Sequence, residues 1–434
     1  MKRSLPTRNL WSGVKDIFVL VVVGRWLTHL VASLLWDDVG KGGFPTAQID
    51  FSSPQDPTTL SQSLEMKVIL KNQISLQEEF QALLLAQQYP PNCSESRILI
   101  NAQLGPLDGF TLEFRMMARF LHTALATNRT LVLPNGFKSA YASPDCRQVD
   151  IRLSESVNDW ECLYEPFTNC TEDTATAFGE DILPATINAA VGIINHDSVD
   201  HYFSPKFYGE QRLIYESSHN IVGGGTIDTP YADVIEHWER AMGRFWVRAQ
   251  CSHALWKPSM WLRNEIKSRL PKSLFQPPVK YIGMHLRFSD NVIDFEKDFS
   301  RLANITRDFN NFLSKANNIR KDTGITRIYL ATDYAAIVET LSNKEKDGFT
   351  FSFQPDAPRT YTKDHLWFNT SRKTSAAAIA TDVEVLRRAD YLIGSFQSNV
   401  YRLATELNTA YNAGKYPITM KRHLTVDLEW YEDP

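Results

Sequence analysis

The sequence predicts an α/β protein whose two halves are each built on a parallel sheet. Short apolar runs alternate with segments of helical periodicity from residue 280 onward, which is typical of strands joined by crossover helices. A further unit of this kind occupies residues 97–133. The 434 residues are 43% hydrophobic and 22% charged. This composition is ordinary for a globular protein, so it excludes a chain that is mostly disordered or mostly embedded in a membrane.

The overall charge gives no electrostatic reason to bind nucleic acid. The net charge is −4, from 46 Lys and Arg against 50 Asp and Glu, whereas nucleic-acid-binding domains are usually basic. Aromatic residues make up 12% of the chain. This fraction suits a protein that stacks on sugars, but a large core is the simpler explanation.

The N-terminal residues are typical of a membrane anchor. Residues 17–36 are mostly apolar and long enough for one bilayer crossing, although Arg25 and His29 lie inside this segment. The basic residues that precede it are Lys2, Arg3, Arg8 and Lys15. We expect an uncleaved signal anchor, with residues 1–16 in the cytosol and the bulk of the chain in the lumen of the secretory pathway. A cleaved signal peptide is the alternative.

The cysteines fit an oxidising lumen better than a zinc site. The chain has Cys93, Cys146, Cys162, Cys170 and Cys251. They show no CxxC spacing, so we expect no zinc. Cys146, Cys162 and Cys170 lie close enough in sequence for one local disulfide, and the odd total leaves at least one thiol unpaired or intermolecular. Glycosylation is permitted at the sequons of Asn92, Asn128, Asn169, Asn304 and Asn369.

Residues 37–90 are predicted to form a stem that ends in a short helix. The first part is rich in Gly, Pro, Ser and Gln, as flexible linkers are. Apolar side chains then follow one helical face at Met66, Ile69, Leu76, Phe80 and Leu83. This pattern is compatible with a homodimer formed through a coiled coil, and equally with a helix that packs on its own domain.

The first half of the globular part, residues 91–270, opens with a βαβ unit. A strand is predicted at 97–100, a glycine turn at 105–109, a helix at 110–127 and a second strand at 130–133. Residues 134–230 show no regular pattern, and helical periodicity returns at 233–270.

The second half, residues 271–434, alternates strands and helices more regularly. Strands are predicted at 281–286, 327–331, 349–353 and 391–394. Helices are predicted at 302–319, 335–341, 374–388 and 398–407. This order is typical of a doubly wound, Rossmann-like parallel sheet, which binds ligands beyond the carboxyl ends of its strands.

Polar side chains follow these strands at the ends where a ligand would bind. They are His285, Arg287 and Asp290 after the first strand, Asp333 after the second, and Ser395 and Ser398 after the fourth. An arginine at a strand end can neutralise a diphosphate, and the helix that begins at Ser398 offers backbone N–H groups. Asp382 lies in the helix before the fourth strand and can accept hydrogen bonds from a guanine or a ribose.

The sequence contains no Asp-x-Asp pair. Nucleotide-sugar transferases that use Mn²⁺ commonly hold the diphosphate through such a pair. We therefore expect a site without metal or other cofactor, in which arginine supplies the positive charge. Walker loops, GxSxG motifs and zinc-ligand clusters are also missing from the sequence.

Three motifs resemble those of the α1,6-fucosyltransferase family, glycosyltransferase family 23. Gly283-Met-His285-Leu-Arg287-Phe-Ser-Asp290 is similar to its His-x-Arg-Arg-Thr-Asp motif, and Tyr329-Leu-Ala-Thr-Asp333 is similar to its Tyr-Leu-Ala-Thr-Asp-Asp motif. The segment from Asp382 through Ser395-Phe-Gln-Ser398 to Arg402 resembles the third motif. A weaker match upstream is Asn101-Ala-Gln-Leu-Gly105 with Gly109. The resemblance covers roughly residues 97–410.

The resemblance implies a two-lobed, GT-B-like fold with an open α/β lobe and a Rossmann-like lobe that binds GDP-fucose. It implies transfer of L-fucose with inversion and without metal, in the Golgi, to the 6-hydroxyl of the innermost GlcNAc of an N-glycan or to a chitin oligosaccharide. Arg287 would hold the β-phosphate and stabilise the departing GDP. The other donor-binding residues implied are His285, Asp290, Asp333, Asp382, Ser398, Arg402, Gly105 and Gly109.

At three positions this sequence has an uncharged residue where the family motifs have a charged one. Phe288 replaces the family's second arginine, Tyr334 replaces its second aspartate, and Asn291 replaces a lysine. The catalytic base of the family is a glutamate a few residues past the arginines, for which Glu296 is the first candidate and Asp294 the second. Animal members also carry a C-terminal SH3 domain, which we do not expect here because too few residues follow the last predicted helix.

Two further functions stay open. One is fucosyl transfer to another acceptor, such as a peptide Ser or Thr. The other is a catalytically inactive, glycan-binding relative that kept the fold and lost the second arginine and the second aspartate. Product formation separates the enzymes from the inactive relative, and mass spectrometry of the product identifies the linkage.

Overall fold

The computed structural model divides the chain into two compact units, Met1–Gln62 and Ser63–Pro434. The structure describes residues 57–101, 109–139, 141–142, 159–176, 184–185, 213–216, 233–287, 300–341, 345–359, 371–417 and 421–427. The predicted membrane anchor, residues 17–36, lies outside them. Within the described ranges, no helix combines the length and the apolar character that a bilayer crossing needs.

The first helix, α1, spans Pro57–Gln88 and is longer than the sequence pattern predicts. Its proline fits the first helical turn, where an N–H has no acceptor within the helix. Near the C-terminal end, Phe80 and Leu84 are buried in a core of the larger unit. This end of the helix therefore packs on its own domain. Val68 and Ile69 are exposed, and the homodimer stays a prediction.

The first sheet belongs to the first half of the sequence. Its elements are β1 Ile98–Asn101, α2 Phe110–Ala126, β2 Thr130–Val132, α3 Trp160–Leu163, α4 Glu172–Thr176, β3 Pro184–Ala185 and β4 Leu213–Glu216. The strands are parallel, in the order β2-β1-β4-β3. The predicted βαβ unit is confirmed. The strands β3 and β4 are not predicted from the sequence pattern. They are short, and they form only by pairing with each other and, for β4, with β1.

Four helices lie between the first sheet and the second sheet in sequence. They are α5 Asp233–Met242, α6 Arg244–Leu255, α7 Met260–Arg269 and α8 Lys272–Phe275. The helical region predicted for 233–270 is therefore broken twice. Gly243, which has a φ of 85°, separates α5 from α6, because glycine adopts this backbone conformation without a steric penalty. Pro258 lies between α6 and α7, where a proline cannot continue the preceding helix.

The second sheet confirms the predicted doubly wound half. Its elements are β5 Ile282–Leu286, α9 Ser300–Thr323, β6 Arg327–Thr332, α10 Ala335–Thr340, β7 Glu345–Lys346, β8 Phe349–Ser352, α11 Arg372–Arg388, β9 Tyr391–Gly394, α12 Asn399–Tyr411 and β10 His423–Thr425. The order of the six strands is β10-β9-β5-β6-β8-β7. All neighbours are parallel except the antiparallel pair β7–β8. The four predicted strands are central, and β7 and β10 add the edges.

The helices α11 and α12 join the two halves. In sequence they lie between strands of the second sheet, α11 before β9 and α12 before β10. In space, α12 packs against α2 and α6, and α11 packs against α7. Ala380 of α11 and Leu407 of α12 are buried in the same core as Phe114 and Trp246 of the first half. The two sheets therefore depend on one shared layer of helices.

One disulfide joins two cysteines that are distant in sequence, and the sequence pattern does not suggest this pairing. Cys170 pairs with Cys93, 77 residues away, with a Cα–Cα distance of 5.5 Å, and not with Cys146 or Cys162. Cys162 is disulfide-bonded as well, and Cys251 is a buried free thiol, as the odd cysteine count predicts. The fold brings the two chain segments together: Asn169 donates a hydrogen bond from Nδ2 to the Pro90 carbonyl at 3.0 Å.

Leu407→Ala tests the shared core. Leu407 is fully buried, so the change should lower the free energy of unfolding by about 2–5 kcal/mol. Because the core is shared, the larger unit should still unfold in one transition, with tryptophan fluorescence and far-UV circular dichroism giving the same urea midpoint. Met260→Ala is the control: this side chain is 64% exposed, so its removal should change stability by at most about 0.5 kcal/mol. Two separate transitions would contradict a common core.

Candidate active site

Parallel pairing brings the predicted site residues to one edge of the six-stranded sheet. Leu286, the last residue of β5, is in register with Thr332, the last residue of β6. His285, Arg287 and Asp333 therefore lie where these two neighbouring strands end. The sheet topology therefore places these three residues at adjacent strand ends, and their role in a site stays a prediction.

His285 is held as a neutral imidazole. His285 is the next-to-last residue of β5, two positions before Arg287, and it is only 6% exposed. Burial first, and then the positive charge of Arg287, lowers the pKa of His285 to about 3. No described residue hydrogen-bonds to its buried Nδ1 atom. Buried polar atoms normally have a partner, so this atom has hydrogen-bonding capacity left for a ligand.

Asp382 reaches the same edge from α11. Its Oδ1 atom accepts hydrogen bonds from the Tyr329 hydroxyl and from Gln354 Nε2, each at 2.5 Å. Burial raises the pKa of this carboxyl to about 6, although the two hydrogen bonds and the positive charge of Arg359 oppose the rise. The Oδ2 atom accepts no hydrogen bond from the residues that the structure describes. Sequence reasoning missed Tyr329, Gln354 and Arg359 as members of this site.

The loop between β9 and α12 places a helix N-terminus at this edge. Ser398 precedes the first residue of α12 and is 3% exposed. Its hydroxyl caps no backbone N–H of the helix and has no hydrogen-bond partner in the described part of the chain. The first N–H groups of a helix have no acceptor within it. Arg402 folds back onto the loop and donates from Nε to the Phe396 carbonyl.

A second aspartate, Asp427, holds this loop and was not predicted from the sequence. Its carboxylate accepts hydrogen bonds from the backbone N–H groups of Phe396 at 3.0 Å and Gln397 at 3.2 Å. The hydroxyls of Ser395 and Thr425 donate to it as well. Burial opposes ionisation, but these hydrogen bonds lower the pKa of Asp427 below its usual value. Asp427 lies two residues after the end of β10, and Asp333 directly follows the end of β6.

The remaining predicted residues have less defined roles. Asp333 is partly buried after β6. Gly109 precedes α2 with a φ of 111°, which favours glycine. The predictions for Gly105, Asp290, Asp294 and Glu296 fall outside the described residues. Within the described ranges, no three His, Cys, Asp or Glu side chains are grouped as metal ligands would be.

Asp382→Asn tests the environment of this carboxyl. Its pKa is raised from 3.8 to about 6 in the folded protein, so its contribution to stability is complete below about pH 4 and is lost as the pH rises through about 6. Asparagine does not titrate. The free energy of unfolding of the wild type should therefore fall relative to that of the variant between pH 5 and pH 7.5, measured by urea denaturation.

Asp427→Asn is the matched control for this measurement. Its pKa is lowered, so Asp427 stays ionised throughout the interval from pH 5 to pH 7.5. The stability difference between the wild type and this control should not change across the interval. If the difference for Asp382→Asn were also constant, the raised pKa of Asp382 would be wrong.

Comparison with known proteins gives a family for this part of the chain. Residues 231–417 match the family model for alpha-(1,6)-fucosyltransferase N- and catalytic domains. A similar solved structure is an Arabidopsis thaliana FUT1 mutant in complex with GDP, with 13% identity, a TM-score of 0.43 and coverage of 82% of this chain and 79% of that one. Another is the fucosyltransferase NodZ from Bradyrhizobium, with 16% identity, a TM-score of 0.41 and coverage of 71% and 92%. Residues 231–417 are therefore similar to the α1,6-fucosyltransferase family, as the motifs in this segment predict.

Proposed function

We propose that the protein transfers L-fucose from GDP-fucose to a glycan, with inversion and without metal. One observation carries this proposal. Near the carboxyl edge of the six-stranded sheet, no described residue hydrogen-bonds to the buried Nδ1 of His285, to the buried Oγ of Ser398 or to Oδ2 of Asp382. A bound ligand would supply the missing partners. The family match over residues 231–417 supports GDP-fucose as that ligand.

Different residues of this edge suit the guanosine and the diphosphate of GDP-fucose. The neutral His285 and the carboxylate of Asp382 suit the hydrogen-bonding groups of guanosine. Arg287 and the N-terminus of α12 suit the diphosphate, because a guanidinium binds phosphate oxygens in a fork and a helix N-terminus carries partial positive charge. The family motifs support further donor contacts by Asp333 and Arg402.

The reaction also needs a base. We assign it to Glu296, with Asp294 as the second candidate. The base takes the proton of the acceptor hydroxyl, whose oxygen bonds to C1 of fucose on the face opposite the diphosphate. The bond from C1 to the phosphate oxygen breaks, and GDP leaves with the electron pair. Arg287 stabilises the negative charge that develops on the diphosphate.

We further propose an α1,6 linkage to the innermost GlcNAc of N-glycans, in a single-pass type II Golgi membrane protein anchored by residues 17–36. The description of the matched family supports the linkage. The Cys93–Cys170 disulfide supports a lumenal location, because disulfides persist in oxidising compartments. The exposed sequon residues Asn92 and Asn128 are compatible with that location.

One observation favours an alternative, a glycan-binding relative without activity. Tyr334 stands where the family has its second aspartate, and it is 8% exposed and packed in a core of the second sheet. Phe288 stands where the family has its second arginine. Neither side chain restores the charge that it replaces.

A transfer assay tests the proposal. The full-length protein is incubated in EDTA with GDP-fucose and a panel of N-glycans, Ser/Thr peptides and chitin oligosaccharides, and mass spectrometry identifies the product. We expect an α1,6-fucosylated N-glycan. Arg287→Lys should weaken GDP binding about 10–100-fold, nearly as much as Arg287→Ala, because lysine cannot reproduce the guanidinium fork. Arg263→Lys, which changes an arginine that is 59% exposed and paired with Glu165, is the control and should bind GDP like the wild type.

Three results of this assay would contradict parts of the account. GDP binding without any product would favour the inactive relative. Activity that EDTA abolishes and Mn²⁺ restores would exclude a site without metal. Normal GDP binding by Arg287→Ala would refute the assignment of the diphosphate to this edge.

A further inference from the structure

The hydrogen bonds of Asp382 divide its two oxygens into different roles. The hydroxyl of Tyr329 and the Nε2 atom of Gln354 both donate to Oδ1, each at 2.5 Å. A carboxylate oxygen has two lone-pair sites, so these two donors saturate Oδ1. The Oδ2 atom, to which no described residue donates, keeps its full capacity as an acceptor.

The fold fixes both donors. Tyr329 is fully buried in β6, between the neighbouring strands β5 and β8. Gln354 follows β8 and is 2% exposed. Its second N–H donates to the carbonyl of Ala378 at 2.9 Å, one turn before Asp382 on α11. A flipped amide would turn its oxygen towards two acceptors, so this orientation is the one that the surroundings allow.

On the basis of the proposed function, we propose that Tyr329 and Gln354 are positioning residues for recognition of the donor's nucleoside, because they saturate Oδ1 of Asp382 and leave Oδ2 alone to contact it. The chemistry that fits Oδ2 is an N–H or O–H donor. Guanine presents N–H donors on the edge where adenine presents the acceptor N1, so an ionised Asp382 favours GDP over ADP.

The ionisation of Asp382 depends on the groups around it. Tyr329 and Gln354 stabilise the carboxylate through their hydrogen bonds, and the positive charge of Arg359 acts in the same direction. The negative charge of Asp333 and the burial of the carboxyl act in the opposite direction. Removing either hydrogen bond should therefore leave Asp382 protonated at a higher pH, where a protonated carboxyl no longer accepts through both oxygens.

Tyr329→Phe tests the proposal, because it removes one hydroxyl and keeps the ring. GDP and ADP binding to the full-length protein are measured by calorimetry from pH 5 to pH 8. The midpoint at which GDP affinity is lost on acidification should move upward by about one pH unit, and GDP affinity at pH 7 should fall about tenfold. The preference for GDP over ADP should fall as well. Gln354→Leu should act in the same direction.

Tyr281→Phe is the matched control. It also removes one buried tyrosine hydroxyl that donates to α11, here to the carbonyl of Val385 at 2.7 Å, but it leaves the Asp382 hydrogen bonds in place. Its pH profile and its preference for GDP should equal those of the wild type.

The outcomes separate this proposal from the proposed function. If the wild type does not bind GDP, both are overturned. If the wild type binds GDP and both Tyr329→Phe and Gln354→Leu keep its midpoint and its preference, only the positioning role is overturned. An equal shift in Tyr281→Phe would also overturn it, because the effect would then come from the packing of α11.

Discussion

The buried ion pair between Arg115 and Glu406 fixes α12, and the candidate site depends on the position of that helix. Arg115 Nε lies 3.2 Å from Glu406 Oε1, and the two side chains are 5% and 2% exposed. Arg115 also donates from Nη1 to Asn399 Oδ1 at 2.7 Å, at the first residue of α12. Removing one partner of a buried pair costs about 3–5 kcal/mol. A residue of the first half thereby holds the helix N-terminus at which Ser398 meets the edge of the second sheet.

Two aspartates at this edge differ in their hydrogen-bond partners and in the direction of their pKa shifts. Asp427 has donors on both oxygens, and its pKa is lowered. It is therefore satisfied within the protein and stabilises the loop before α12. Asp382 has both of its donors on one oxygen, and burial raises its pKa to about 6. Its ionised form is costly without a ligand, which suits the nucleoside contact that we propose for its second oxygen.

The sequence predicts the elements and residues that have a local signal. The apolar runs of β5, β6 and β9 are buried and could be identified one by one, and the polar residues that follow them, such as Arg287 and Ser398, could be assigned to one edge because parallel strands end together. The strands β3 and β4 and the Cys93–Cys170 disulfide have no such signal, because their partners are distant in sequence.

The residues that surround Asp382 could not be assigned to the site from the sequence, for a different reason. Tyr329 stands in a family motif but has the pattern of an ordinary core residue in a strand, and Gln354 is an uncharged residue in a loop. Their importance comes from a contact with α11 that only the fold creates. The base candidates Glu296 and Asp294 rest on the family motif, and the described residues do not include them.

A crystal structure of the full-length protein with GDP tests the central claim most directly, namely that the carboxyl edge of the six-stranded sheet binds the donor. We predict electron density for guanosine within hydrogen-bond distance of Oδ2 of Asp382, and for the diphosphate between Arg287 and the N-terminus of α12. GDP bound at the first sheet, with the edge of the second sheet empty, would contradict the account.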